Sequence, residues 1–207
     1  MAGAFLMSAG SCLITTTPEF HETQPTAPKF IADRFTPDPR TFILVKSTDL
    51  PGTLNAQVQS EDPPGVKVIS RVFSDYGTPN GLGQPFQRVV DGGSVEAATR
   101  EDGPRDIQAR VLWDQLLPVT EAGCHRITWM VAHDFSGEGG CPVPLSSPDP
   151  QGNPQADYDE ITWTVIVCDP INGCPSIDTE NLETACPKPT VSCRPTTGGD
   201  EVGGAAP

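Results

Sequence analysis

The chain has 207 residues with 20 Gly and 23 Pro, and apolar residues make up 36% of it. That length holds one domain of ordinary size plus tails, not two large domains, and so much Gly and Pro leaves material for one modest core. A net charge of -14, with 13 Lys and Arg that form no basic cluster, supplies nothing to neutralise phosphates, so nucleic acid is not an expected partner and the acidic balance favours solubility.

At the N-terminus a short run of apolar and small residues, Ala2 to Ala9, leads into Gly10-Ser11-Cys12. It is far shorter than the roughly 20 residues that span a bilayer. The run resembles the end of a bacterial lipoprotein signal peptide, in which small residues precede a cysteine whose thiol is lipidated before the signal is removed. Gly10 and Ser11 match the small positions, and Ala9 stands where that family most often has Leu. The resemblance implies a signal remnant over 1–11 and a lipid on Cys12. With Leu13 in place of Asp, it also implies sorting to the outer membrane or cell surface, lipid-anchored, with a periplasm-facing placement as the alternative. Thr15 to Pro28 is polar and contains Pro, which suits a flexible stalk, so 12–28 is assigned to anchor and stalk.

From Lys29 to Asp169 short β-branched and aromatic runs alternate with Gly, Pro, Asp and Asn clusters, the pattern of an all-β domain. Thr41 to Val45 is the first expected strand. Thr53 to Gln59 is the second, with Leu54, Ala56 and Val58 on one face. Val66 to Tyr76 follows the turn Asp62-Pro63-Pro64-Gly65. A short edge strand is expected around Phe86 to Val90, inside the turn-rich stretch from Gly77 to Gly103. Ile107, Ala109, Val111 and Trp113 mark one face of a strand over Asp106 to Gln115.

The strongest period-2 signal lies in Cys124 to His133 and Tyr158 to Cys168. Ile127, Trp129 and Val131 share a face, as do Ile161, Trp163, Val165 and Val167. An antiparallel hairpin that sets Trp129 against Trp163 makes one face continuously apolar. It also sets Cys124 opposite Cys168, which predicts a disulfide between them.

Short strands spread over most of the chain, with a long loop between the last two, resemble the immunoglobulin-like sandwiches of exported bacterial proteins. The likeness rests on pattern and not on a signature motif, because the cysteines lack the antibody-type spacing around a central Trp. The expected fold is therefore all-β, an immunoglobulin-like antiparallel β-sandwich over 29–169. Beyond Asp169 the chain is rich in Cys, Pro and Gly with few apolar residues, and 170–207 is expected to be a largely disordered tail.

Setting Cys12 aside leaves six cysteines for bridges: Cys124, Cys141, Cys168, Cys174, Cys186 and Cys193. None shows the C-x2-C or C-x4-C step of a tetrahedral zinc site, and six crowded thiols suit an oxidising compartment. Cys141, Cys174, Cys186 and Cys193 can pair in three ways. Joining Cys141 to Cys174 and Cys186 to Cys193 is preferred because it folds the start of the tail over the long loop.

Catalysis needs an activated nucleophile, with His as the usual base. There are three histidines and no Gly-x-Ser-x-Gly elbow. His21 lies in the expected stalk. His125 and His133 are eight residues, about 26 Å, apart on one strand, too far to share a metal, and they read as strand-end residues at the sandwich rims. Asp149, Asp157, Asp159 and Glu160 have the hard oxygens calcium requires, yet their spacing matches no EF-hand and a solvated acidic loop is the simpler account.

No catalytic, metal or cofactor site is expected. The expected function is a non-catalytic surface lipoprotein with a binding or structural role in the cell envelope. Its partners are the membrane through the lipid and an envelope protein or glycan, and the loop from Phe135 to Asp157 is the contact segment to test. The alternative is a calcium-dependent or carbohydrate-binding module.

Overall fold

The computed structural model describes residues 25–46, 51–118, 122–137, 140–145, 151–169, 171–175 and 186. The signal remnant, Cys12, His21, Asp149 and Cys193 lie outside the described residues. Among the described residues eight strands form, namely β1 (Thr26–Phe30), β2 (Ile43–Lys46), β3 (Gly52–Glu61), β4 (Val68–Ser74), β5 (Arg88–Val95), β6 (Arg105–Val111), β7 (Gly123–Ala132) and β8 (Tyr158–Cys168). One helical turn, α1 (Trp113–Leu116), follows β6.

The strands form two sheets, β1-β3-β6 and β2-β8-β7-β4-β5. Every pairing is antiparallel except β2 with β8, which is parallel. The chain thus begins in one sheet as β1, crosses the open side of the sandwich and joins the other sheet as β2. An edge segment shared in this way between two facing sheets makes the domain an immunoglobulin-like β-sandwich.

Alternation explains the core. Leu54, Ala56 and Val58 of β3 and Ile107, Ala109 and Val111 of β6 face Ile127, Trp129 and Val131 of β7 and Trp163, Val165 and Val167 of β8, all of them buried. Each such large side chain contributes roughly 1.5–3 kcal/mol on burial. β7 is buried on both faces from Ile127 to Ala132. A second cluster of Phe73, Tyr76, Phe86, Met130, Ala132 and Phe135 covers the other side of its sheet, which departs from the one-sided alternation usual in antiparallel sheets. The backbone at Gly140 (φ +68°) lies so close to this cluster that a Cβ there would sit 2.4 Å from the Phe86 ring.

Several expectations are corrected. β1 lies largely inside the segment assigned to the stalk. Phe30 explains why it is ordered, since its ring packs 5.3 Å from Trp129 and its amide donates to Asp159. Trp113 is not on a strand. Its chain turns helical, and the ring covers the backbone at Gly52, where a Cβ would meet it at 2.3 Å. The expected edge strand from Phe86 to Val90 is the longer β5, starting at Arg88.

The β7–β8 hairpin forms, but slid by two residues. Trp129 faces Ile161, Trp163 faces Ile127, and Cys124 faces Ile166 rather than Cys168. The expected Cys124–Cys168 bridge is therefore absent. Cys124 is bonded to Cys186 across 62 residues, and Cys168 to Cys174 across 6. These bonds also exclude Cys141–Cys174 and Cys186–Cys193. Cys141 is itself disulfide-bonded.

Candidate functional site

The most highly organised polar group lies where β7 ends and β8 begins. His133 follows the last residue of β7, and Asp157 precedes the first of β8. His133 Nδ1 lies 2.7 Å from Asp157 Oδ1, and the His133 amide donates to Asp157 Oδ2 at 3.3 Å. The other ring nitrogen, Nε2, lies 2.8 Å from Oδ1 of Asp62, just past the end of β3.

Asp62 Oδ2 accepts from Arg105 Nη1 at 2.7 Å and from the Ala98 amide at 2.9 Å. Arg105, the first residue of β6, also donates to Ser60 Oγ at 2.5 Å and to the Glu96 carbonyl. The side chains of His133, Asp62 and Asp157 are 7%, 0% and 4% exposed, so this chain of ions ties both sheets together inside the domain.

Geometry decides the protonation state. A neutral imidazole has one N–H and one lone pair, and a lone pair 2.7–2.8 Å from a carboxylate oxygen is repulsive. Below its raised pKa both ring nitrogens therefore donate and His133 is the imidazolium. Burial by itself would lower its pKa, but the hydrogen bonds and charges of Asp157 and Asp62 raise it above the ordinary 6.5. For Asp62 desolvation acts to raise the pKa, and contacts with Ser60, His133, Ala98 and Arg105 outweigh it, leaving the carboxyl below the ordinary 3.8. Two carboxylates then balance two cations, as a buried cluster requires.

At the opposite end of β7, His125 Nδ1 lies 2.8 Å from Asp75 Oδ2, while Asp75 Oδ1 accepts from the Arg126 amide at 2.9 Å. Asp75 holds a left-handed backbone (φ +47°) that turns its carboxylate back along β7. The two histidines do sit at the rims as expected, each engaged by a buried acid and not exposed to solvent. Of the acidic loop residues, Glu160 is exposed as a solvated loop requires, but Asp157 and Asp159 are engaged. Asp157 is buried against His133, and Asp159 accepts from the Phe30 amide and lies 3.7 Å from Lys29 Nζ. Among the described residues no group of three or more His, Cys, Asp or Glu side chains is placed to hold a metal ion.

Sequence reading missed Asp62, Asp75 and Arg105. In the sequence Asp62 reads only as a turn residue, and its partner His133 is 71 positions away. His125 and Asp75 are 50 apart, so no local pattern joins either pair.

A concave surface lies elsewhere, where the chain crosses from β1 to β2. A groove of about 520 Å³ is lined by Asp33, Phe35, Asp38, Arg40, Ile161 and Thr162 among others. The crossover is held rigidly. Trp163 Nε1 donates to the Pro37 carbonyl at 2.9 Å, Thr36 exchanges backbone bonds with Asn55, and Phe35 packs edge-on to Trp163 and Phe30. Asp38 Oδ1 accepts from the Arg40 amide at 2.9 Å, which fixes the groove's rim.

These features define the class of the molecule: an immunoglobulin-like β-sandwich domain with disulfide bonds and a buried histidine–carboxylate fastening. No protein-family model matches the chain, and no curated protein matches it in sequence. Among solved structures it is similar to a chain in the crystal structure of the complex between zinc 2-glycoprotein and prolactin inducible protein from human seminal plasma. The identity is 13% and the TM-score 0.33, over 70% of this chain and 97% of that one.

Proposed function

We propose that the chain is a non-catalytic protein of the bacterial cell envelope, held to the membrane by a lipid on Cys12, whose sandwich binds a partner or supports an assembly outside the cytoplasm. The observation that carries this reading is the state of the thiols. Each of the five described cysteines is disulfide-bonded, and structural disulfides persist in oxidising compartments. The small-residue approach to Cys12 supplies the anchor in the same reading. The histidines support a non-catalytic role, because His125 and His133 are each engaged by a buried acid and neither lines the groove.

Mass spectrometry of the protein from its native membrane tests the reading. The expected N-terminal peptide begins at Cys12 and carries diacylglycerol, and Cys12→Ser releases the protein from the membrane fraction. An intact initiator methionine on a cytosolic protein with free thiols would overturn it.

A further inference from the structure

The groove beside the crossover contains a piece of sheet edge that no strand covers among the described residues. The Asp75 amide donates to the Arg126 carbonyl at 2.7 Å, and the Arg126 amide donates to Asp75. The backbone of Arg126 therefore points toward β4. Along the unbroken β7–β8 ladder bonding direction alternates residue by residue, so His125, Ile127 and Trp129 point toward β8 and engage Val165, Trp163 and Ile161. The backbone N–H and C=O of Thr162, between those last two, point the other way, toward the edge that β2 occupies farther along. β2 pairs with β8 only from Ile43 opposite Val165 onward. At Thr162 the ladder's donor and acceptor consequently open on the groove, next to Asp33, Asp38 and Arg40.

We propose that this groove docks an extended, basic peptide segment of another protein, which adds to β8 at Thr162 in line with β2. Strand addition fits because an uncovered edge offers main-chain bonds to any extended chain, and adjoining side chains then select among them. The selecting groups are acidic. Arg40 is the cation on the rim, and its contact with Asp33 at 3.5 Å joins side chains 80% and 81% exposed, a pairing that an incoming Lys or Arg displaces at little cost. A whole-chain charge of -14 attracts a basic segment and repels an acidic one. The crossover's fixed backbone means that little order has to be created on docking. The inference goes beyond the envelope reading and does not depend on it, since the groove is present in whatever compartment the chain occupies.

The test is amide NMR of the full chain titrated with a capped hexapeptide of alternating lysine and valine. The expected result is saturable shifts centred on Ile161, Thr162 and residues 33–40. The same peptide N-methylated at every second amide, and a glutamate–valine version, should leave those signals unmoved. The double variant Asp33→Asn, Asp38→Asn keeps the local hydrogen bonds and should weaken binding by about threefold to tenfold. The proposal is overturned if the peptide is silent at millimolar concentration, if the N-methylated form binds equally well, or if a neutral disaccharide moves the same amides while the peptide does not.

Discussion

His133 is held by acids on both sides, and its charge is a condition of the packing around it. Its pKa is raised in the folded state, so its contribution to stability is complete below its unfolded value near 6.5 and is lost as pH rises through the raised value. Asp62 runs the other way. Its folded pKa is lowered, so its contribution is present above about 3.8 and is lost as pH falls through the lowered value. The melting temperature should therefore be highest between roughly pH 4 and pH 6.5 and decline on both sides. Calorimetry across pH 3 to 10 checks this, and a melting temperature that climbs steadily above pH 7 would contradict the imidazolium assignment. His133→Gln strands two buried carboxylates beside one remaining cation and should cost about 3–5 kcal/mol.

Among the elements, the β7–β8 hairpin shows how far alternation reaches. Placing Trp129 directly against Trp163 would set the two largest core side chains in one space. Sliding by two residues keeps every side chain on its face while each Trp gains an Ile opposite and the indoles meet diagonally, with centroids 6.4 Å apart. Large against small is how close-packed layers fill.

The slide also settles the cysteines. Cys124 is left facing Ile166 and is bonded to Cys186, while Cys168 closes a short clip with Cys174 around the Asp169–Gly173 bridge. Loop-closure entropy ranks the two bonds. Cys186→Ser opens a loop of 62 residues and should cost about 4 kcal/mol, against about 2 kcal/mol for Cys174→Ser, which opens one of 6. Urea unfolding of the two variants measures the order, and equal midpoints would mean that the long bridge constrains little. The sheets also approach closely where β5 passes β6, since a Cβ at Gly93 would stand 2.2 Å from the Gln108 carbonyl.

For the whole molecule, bridges at Cys124–Cys186, at Cys168–Cys174 and at Cys141 supplement the apolar core. The corresponding expectation is chemical. Protein taken from its native source and alkylated before reduction should leave Cys124, Cys141, Cys168, Cys174 and Cys186 unlabelled, and all five should label after reduction. Labelling of any of them beforehand would show a bridge that does not form in the cell.

The β-sandwich was legible because alternation records which side of a strand is buried. Leu54, Ala56, Val58, Ile107, Ala109 and Val111 declare their face without reference to any other strand, and the odd cysteine near the N-terminus stood apart from the other six by position alone. The sequence by itself thus determined most strands after Thr41, their inward faces and the crowding of thiols, but neither β1 nor the helical turn at Trp113. Register, disulfide partners and the Asp62–His133–Asp157 fastening were decided only by tertiary structure. A slide of two residues leaves the pattern unchanged, and partners 62 or 71 positions apart meet only when the packing of bulky side chains selects one arrangement of the strands. The edge at Thr162, which no strand covers among the described residues, belongs with these, because whether a strand is covered depends on where its neighbour stops.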